Sequence, residues 1–221
     1  MNIADALVPE LRDYWLAEDR LLHHPLVVTR VFNCEDAGRV NAEFLSKKQH
    51  LRDLKINLGD GQEYVFLHER PYRFRALKRI VRDLSPTDYW QLVGKVWTDS
   101  ENIREHFADW QRLWSAPKIK KHECMTPEER AGLEGMSSFP VWRGIGSRGR
   151  VKGLSWTLDR DNAVWFARRF GRSGSGKLIH AEVERHSVHA FFQRRQESEI
   201  VASDVEVLKI EKLKGGNRSM V

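Results

Sequence analysis

The chain has 221 residues, 41% of them hydrophobic, which is enough for a sizeable core in one large domain or two small ones. Its charged fraction of 31% argues against global disorder, and no apolar run approaches the length of a membrane-spanning helix. The net charge of +6 is uneven, because residues 137–221 carry 16 Lys and Arg against 9 Asp and Glu, a balance of +7. That part would attract polyanions or an anionic cosubstrate, or it is a solvated basic face.

The N-terminus carries acidic residues early and does not look like a secretory signal. The two cysteines, Cys34 and Cys124, lie far apart without the spacing of metal ligands. The nine histidines form no metal-binding motif, so no metal is expected. We therefore expect a reduced, cytoplasmic protein that does not associate with membranes, and one disulfide stays open as an alternative.

The first half of the chain is predicted to be mostly helical. Apolar residues at spacings of three and four indicate a helix over residues 3–22, and the β-branched run 26–32 indicates a strand. Further elements are predicted in this order: a helix over 36–54, a strand over 63–68, and helices from 71 to about 81, from Ser85-Pro86, from Asp99 or Ser100, and from Thr126 to near Gly135. The aromatic stripes of these helices are predicted to be core.

The second half alternates strands, one helix and loops. Strands are predicted over 140–145, 154–158 and 177–183, and from Glu197 onwards. Asp159 is predicted to cap a helix, and residues 186–196 are predicted to form a loop with an exposed aromatic pair. The predicted class is α+β, with a helical N-terminal region, 1–136, and an α+β core, 137–221, in one integrated unit.

Two glycine-rich motifs are misleading. Residues 144–149 match G-x-G-x-x-G, but a strand is predicted after them, whereas the dinucleotide fingerprint requires a helix. Residues 171–177 nearly match a phosphate-binding loop, but Leu178 stands where a hydroxyl must bind Mg²⁺, and the loop follows a helix instead of a strand. We reject both interpretations.

Three short motifs suggest a site: Trp142-Arg143-Gly144, Ser155-Trp156-Thr157 and Glu197-Ser198-Glu199. A guanidinium binds phosphate oxygens with two parallel hydrogen bonds, and a glycine beside it permits close approach. Strand alternation places the two hydroxyls on one face and the two glutamates on one side. The structural alternatives are that the two hydroxyls reflect ordinary strand alternation and that the two glutamates lie on an exposed strand edge.

In this order, and with the predicted helix after the second motif, the three motifs resemble the arginine–serine–glutamate class of the ADP-ribosyltransferase family, which includes arginine-modifying bacterial toxins. The resemblance covers residues 139–210, about a third of the chain. It implies a core built on a mixed β-sheet, with NAD⁺ as cosubstrate and no metal. The mostly helical N-terminal half predicted above is expected to pack on this core. Only 12 residues separate Arg143 from Ser155, fewer than in many members of the family.

The resemblance also implies roles for the site residues. Arg143, with Gly144 beside it, grips the pyrophosphate or ribose side of NAD⁺, and Ser155 and Thr157 shape the nicotinamide pocket. Glu199 bonds the ribose 2′-hydroxyl and stabilises an oxocarbenium-like transition state. Glu197 positions or deprotonates the acceptor. Loop 172–176 covers NAD⁺, and loop 186–196 recognises the acceptor through four residues: Phe191, Phe192, Arg194 and Arg195.

The acceptor stays open. In the family, E-x-E accompanies protein arginine, but the basic segment and the aromatic pair favour a nucleic-acid base in RNA or DNA. A free transferase of this kind harms its host, so our hypothesis is a toxin in a toxin–antitoxin or phage-defence system, with an antitoxin partner. The competing hypotheses are an NAD⁺ glycohydrolase, a non-catalytic nucleic-acid-binding protein and a structural phage protein.

Overall fold

A computed structural model describes residues 2–56, 61–101, 103–169, 175–194 and 197–214. About 48% is helical and 24% is strand, which confirms the α+β class. The chain forms two compact units, Met1–Asn102 and Ile103–Val221. The predicted boundary at residue 136 lies inside the second unit, and the predicted division stays a prediction. None of the helices in the described ranges combines the length and low polarity needed to cross a bilayer.

In its described residues the first unit combines six α-helices with a small sheet. The helices are α1 (Ile3–Ala6), α2 (Pro9–Arg12), α3 (Cys34–Ile56), α4 (Gly61–Phe66), α5 (Arg73–Ile80) and α6 (Pro86–Asp99). The three-stranded antiparallel sheet contains β1 (Trp15–Leu16), β2 (Leu21–His24) and β3 (Val27–Arg30). A core cluster, from Leu7 and Leu11 to Val40 and Phe44, joins α3 to the sheet.

Two predictions in this unit are wrong. The expected helix over 3–22 is two single turns followed by β1 and β2, because Leu7 and Val8 are extended before Pro9. The expected strand over 63–68 is helical, since Tyr64, Val65 and His68 bury one face at helical spacing.

Predicted helix starts are confirmed where a side chain caps the helix. The Ser85 hydroxyl accepts the Asp88 N–H at the start of α6, which has Pro86 in its first turn. The aromatic stripe of α6, including Trp90 and Trp97, is buried as predicted. The helix expected from Asp99 or Ser100 begins later, because a 3₁₀ turn at Ile103–His106 precedes it.

The second unit is built on a six-stranded sheet. Its strand order is β7 (Val188–Phe192), β8 (Glu199–Ala202), β5 (Ser155–Thr157), β4 (Ser138–Gly146), β6 (Gly176–Glu184) and β9 (Glu206–Leu213). Its α-helices are α7 (Phe107–Trp114), α8 (Pro127–Ala131) and α9 (Arg160–Arg169). Every pairing in the described residues is antiparallel, so the expected mixed sheet is wrong. Thr126 and Glu129 form the predicted capping box of α8.

Helix α9 lies directly against the backbone of two strands. A Cβ atom at Gly144 would lie 1.8 Å from the carbonyl oxygen of Ala163, and one at Gly176 would lie 2.3 Å from that of Ala167. Both alanines are fully buried. The two glycines therefore set the distance between α9 and the sheet, and β5 connects directly to this helix.

We predict that Gly144→Ala lowers the free energy of unfolding by about 1–3 kcal/mol or more, because α9 must shift to admit the methyl group. Urea denaturation measures the change. The matched control is Gly38→Ala in α3, where a Cβ atom meets nothing within 4 Å and the helix gains about 0.4–1 kcal/mol. Equal stability of the two variants would contradict the close packing.

Candidate functional site

The three sequence motifs lie on three adjacent strands, β4, β5 and β8. Thr157 pairs with Trp142 on one side and with Glu199 on the other. The β4–β5 ladder contains only the Trp142–Thr157 pair in the described residues, so Ser155 lies beyond its paired part. The structure thus places the predicted guanidinium, hydroxyl and carboxylate at neighbouring positions of one sheet.

Arg143 connects β4 to the start of β5, which is paired with β8 but not with β4. Its Nη1 donates to the carbonyl oxygen of Ser155 at 2.6 Å, and its guanidinium carbon lies 6.0 Å from the ring centroid of Trp156. The Nε atom is buried and has no hydrogen-bond partner among the described residues. A buried N–H without a partner costs about 1–3 kcal/mol. The described residues therefore supply no acceptor for this donor.

The charge of Arg143 survives its burial. Burial lowers the pKa of Arg143 from 12.5 to about 10, the Glu199 carboxylate acts in the opposite direction, and Arg104 lowers the pKa further. Because a pKa of about 10 is well above neutrality, the guanidinium stays protonated at pH 7. The site therefore holds a fixed positive charge beside a carboxylate.

Ser155 and Glu199 are in direct contact. The Ser155 hydroxyl donates to Glu199 Oε1 at 2.5 Å, the short distance expected when a carboxylate accepts from a hydroxyl. Through its backbone and its side chain, Ser155 contacts both charged residues. The three residues form a continuous Arg143–Ser155–Glu199 chain of hydrogen bonds, which we call the site chain.

Thr157 and Gly144, both predicted to bind the cosubstrate, have visible structural contacts. The Thr157 side chain is buried, and its hydroxyl accepts the Asp159 N–H at 3.1 Å, which fixes the turn into α9. Asp159 caps α9 as predicted, because its carboxylate accepts the N–H groups of Asp161 and Asn162. The space next to Gly144 is filled by α9. Binding of a cosubstrate by either residue stays a prediction.

Gly153 is a site residue that the sequence reasoning missed. A Cβ atom there would lie 2.2 Å from Cζ of Arg143 and 2.3–2.4 Å from both terminal nitrogens. The indole N–H of Trp156 donates to the Gly153 carbonyl at 3.0 Å, which holds the glycine in place. Gly153 and Trp156 therefore confine the guanidinium. The sequence shows a glycine ten residues after the arginine, but only the folded loop places that glycine against the guanidinium.

The predicted acceptor loop is mostly a strand. Residues 188–192 form β7, and Phe191 and Phe192 are 3% and 1% exposed, so the prediction of an exposed aromatic pair is wrong. The reason is packing that the local sequence does not show, because Phe191 belongs to the core cluster under the sheet. Neither ring is available to stack on an acceptor.

The other predicted acceptor residues are dispersed. Arg194 binds the buried carboxylate of Glu129 at 3.3 Å and also donates to the Cys124 carbonyl, so it ties the end of β7 to α8. Glu197 precedes β8, so the strand alternation that placed it beside Glu199 does not extend to it. Arg195 and most of loop 172–176 lie outside the described residues.

A second polar array lies elsewhere in this unit. Lys121 Nζ donates to Nδ1 of His189 at 2.6 Å, and Nε2 of the same ring contacts the Ser203 hydroxyl. The Trp114 ring stacks on this imidazole. Burial lowers the pKa of His189 from 6.5 to about 4, Lys121 lowers it further, and Asp204 opposes them. The imidazole is therefore neutral in the folded protein at pH 7.

Within the described ranges, no three His, Cys, Asp or Glu side chains lie close enough together to hold a metal ion. Neither Cys34 nor Cys124 forms a disulfide within the described residues. Comparison with known proteins finds no matching family model, no matching curated protein and no matching solved structure.

We predict that the free energy of unfolding falls as the pH is lowered from 6.5 to 4, because the unfolded chain protonates imidazoles that the folded chain keeps neutral. His189 and His24 both contribute to this fall, because burial lowers the pKa of each from 6.5 to about 4. Above pH 6.5 neither histidine contributes to the pH dependence of the stability. His189→Gln should make the slope shallower in urea titrations across this range. His186→Gln, at a side chain 77% exposed, is the control and should keep the parent slope. Identical slopes for the parent and His189→Gln would contradict this account.

Proposed function

We propose that the chain is an NAD⁺-dependent mono-ADP-ribosyltransferase that moves ADP-ribose from NAD⁺ to a macromolecular acceptor. The observation that carries the proposal is the site chain, Arg143–Ser155–Glu199. Three residue types that the family resemblance selects from separate motifs meet in one hydrogen-bonded chain, although they are up to 56 positions apart.

The reaction breaks the bond between the nicotinamide nitrogen and C1′ of the ribose. Nicotinamide leaves with the bonding electrons and becomes neutral, so positive charge develops on the ribose. A fixed carboxylate near that charge lowers the barrier, and removing one such group costs about 10²–10³ in rate. Glu199 is the carboxylate in this proposal, and the Ser155 hydroxyl holds it in a single orientation.

The role of Arg143 is to hold the site together and to bind an anion. One terminal nitrogen fixes the start of β5 through the Ser155 carbonyl, and the buried Nε–H is left for an oxygen of the pyrophosphate or ribose. The acceptor nucleophile then forms the new bond to C1′ and releases its proton. Glu197 is the proposed residue for that last step, and it lies two residues before the start of β8.

A second candidate function is NAD⁺ glycohydrolysis, in which water is the acceptor. The observation that favours it is the dispersal of the predicted acceptor residues, with Phe191 and Phe192 buried and Arg194 bound to Glu129. The site chain alone is sufficient for hydrolysis. In either case the biological role we propose is a toxin in a toxin–antitoxin or phage-defence system, and an antitoxin is the implied partner.

We predict that Glu199→Gln lowers the rate of nicotinamide release from NAD⁺ by about 10²–10³ with an unchanged melting temperature, because the amide oxygen still accepts from Ser155 but carries no charge. Chromatography of released nicotinamide measures this rate. Glu184→Gln, an exposed carboxylate on β6, is the matched control and should retain the parent rate. Normal turnover by Glu199→Gln would remove the proposed site.

Glu197→Gln separates the two candidate functions. NAD⁺ labelled in its adenosine part is incubated with total protein and total RNA, and the label in each fraction is compared with released nicotinamide. A transferase loses transfer more than release in this variant. Nicotinamide release without label in either fraction, in the parent and the variant alike, would establish the glycohydrolase instead.

We predict that Gly153→Ala lowers nicotinamide release by about tenfold or more, because its methyl group would occupy the position of the Arg143 guanidinium. The loss of unfolding free energy should be smaller than for Gly144→Ala, since the clash involves the end of a side chain and not the backbone of α9. Parent-like turnover in Gly153→Ala would show that the guanidinium position does not matter for the reaction.

A further inference from the structure

Helix α9 displays an aromatic ring that its core packing does not use. Trp165 is 51% exposed, on the side of the helix away from the buried Ala163 and Ala167. The Arg169 guanidinium lies 4.9 Å from the Trp165 ring centroid, and the Phe166 ring meets it edge-on at 5.0 Å. A half-exposed indole bordered by a guanidinium is a surface on which a flat ligand can stack.

The segment that contains this ring is strongly basic. From residue 143 to residue 169 the chain contains seven arginines and lysines but only two acids. Both acids, Asp159 and Asp161, lie at the start of α9, and Asp159 is used as its cap. The exposed basic residues are Arg160, Arg168 and Arg169 on α9 and Arg148, Arg150 and Lys152 in the connection between β4 and β5.

Apart from Arg160, which begins α9, these basic residues lie at one end of the sheet, the end that carries Arg143. A Cβ atom at Gly176 would meet the carbonyl oxygens of both Ala167, in the last turn of α9, and Ile145, near the end of β4. The connecting loop folds back on the same strand, because Gly149 packs against the Ile145 side chain. The last turn of α9 and the loop therefore lie on either side of the end of β4.

We propose that the exposed side of α9, with Trp165, Arg168 and Arg169, is a binding surface for single-stranded nucleic acid. Unpaired bases present flat faces that stack on an indole, and guanidinium groups bind the phosphates that follow. Two arginines in the last helical turn also offset the helix dipole, but that role does not explain an exposed tryptophan beside them. An acidic peptide would use the charges without requiring the ring.

This surface is independent of the reaction proposed above, because binding is measured without NAD⁺. If the transfer also occurs, the surface lies at the same end of the sheet as the site chain and favours a nucleic-acid acceptor over protein arginine. In that case this surface recognises the acceptor instead of Phe191 and Phe192, which are buried and cannot stack on a base.

The test is fluorescence anisotropy with labelled single strands of RNA and DNA of about 20 nucleotides, and the same sequences as duplexes, from about 50 to 200 mM salt. We expect the single strands to bind more tightly than the duplexes. Trp165→Ala should weaken single-strand binding about 5- to 100-fold, the value of one stacked base. Phe32→Ala, at a ring 53% exposed in the first unit, is the matched aromatic control and should bind like the parent.

Charge is tested separately. Arg168→Glu with Arg169→Glu should reduce the slope of log affinity against log salt by about 1.4, since each phosphate contact on a single strand contributes about 0.7. Arg39→Glu with Arg112→Glu makes the same change in net charge at side chains 75% and 79% exposed, and should leave the slope nearly unchanged. Melting temperatures confirm that all variants fold.

Three results would overturn the proposal. They are no single-strand binding by the parent at low salt, equal binding of duplexes, and equal effects of the α9 variants and their matched controls. Label transfer to protein arginine by a parent that binds no single strand would overturn this surface while supporting the proposed enzyme. Strand binding that depends on Trp165, without NAD⁺ turnover, would support the surface and reject the enzyme.

Discussion

The candidate site depends on how one buried guanidinium is held where two strands separate. The paired part of β4 and β5 ends at Trp142 and Thr157, and Arg143 Nη1 binds the Ser155 carbonyl just beyond it. A guanidinium suits this position because its planar array of donors reaches a backbone carbonyl while one further donor stays open. If Arg143 were displaced, the start of β5 would lose this contact, and the pairing of β5 with β8 would remain to hold the Ser155 hydroxyl next to Glu199.

Glycines make this arrangement sterically possible. Gly153 leaves the space that the guanidinium occupies, and Gly144 and Gly176 let α9 approach the sheet to backbone contact. The cluster of glycines that mimics a nucleotide-binding fingerprint is thus explained in part by close packing of a helix on a sheet. Gly144 lies within β4, and the strand β5 follows the motif, as expected for a motif that does not open a helix.

Sequence reasoning succeeded where a signal is local. Caps such as Ser85 and Thr126 bind N–H groups three residues away, so their neighbours in the sequence suffice to recognise them. The resemblance also pointed to Arg143, Ser155 and Glu199, which the structure joins through hydrogen bonds, and their role in a reaction stays a prediction. Sequence reasoning failed for Phe191 and Phe192, since the same local pattern of aromatic and polar residues fits an exposed loop or a buried strand.

The errors in the site share one physical cause. Burial of the aromatic pair, pairing of Arg194 with Glu129 and placement of Gly153 against Arg143 all depend on contacts between residues at least ten positions apart. Residue type at those positions is compatible with several environments. Trp165 illustrates the reverse case, because its helical position next to Phe166 is typical of core, yet its ring is half exposed.

The most direct measurement is a crystal structure of the full chain with a non-hydrolysable NAD⁺ analogue. Our account predicts that the ribose bearing the nicotinamide lies against the Ser155–Glu199 pair and that an oxygen of the analogue accepts from Arg143 Nε. Electron density for the analogue elsewhere, or an experimental structure in which the Ser155 hydroxyl does not contact Glu199, would contradict it.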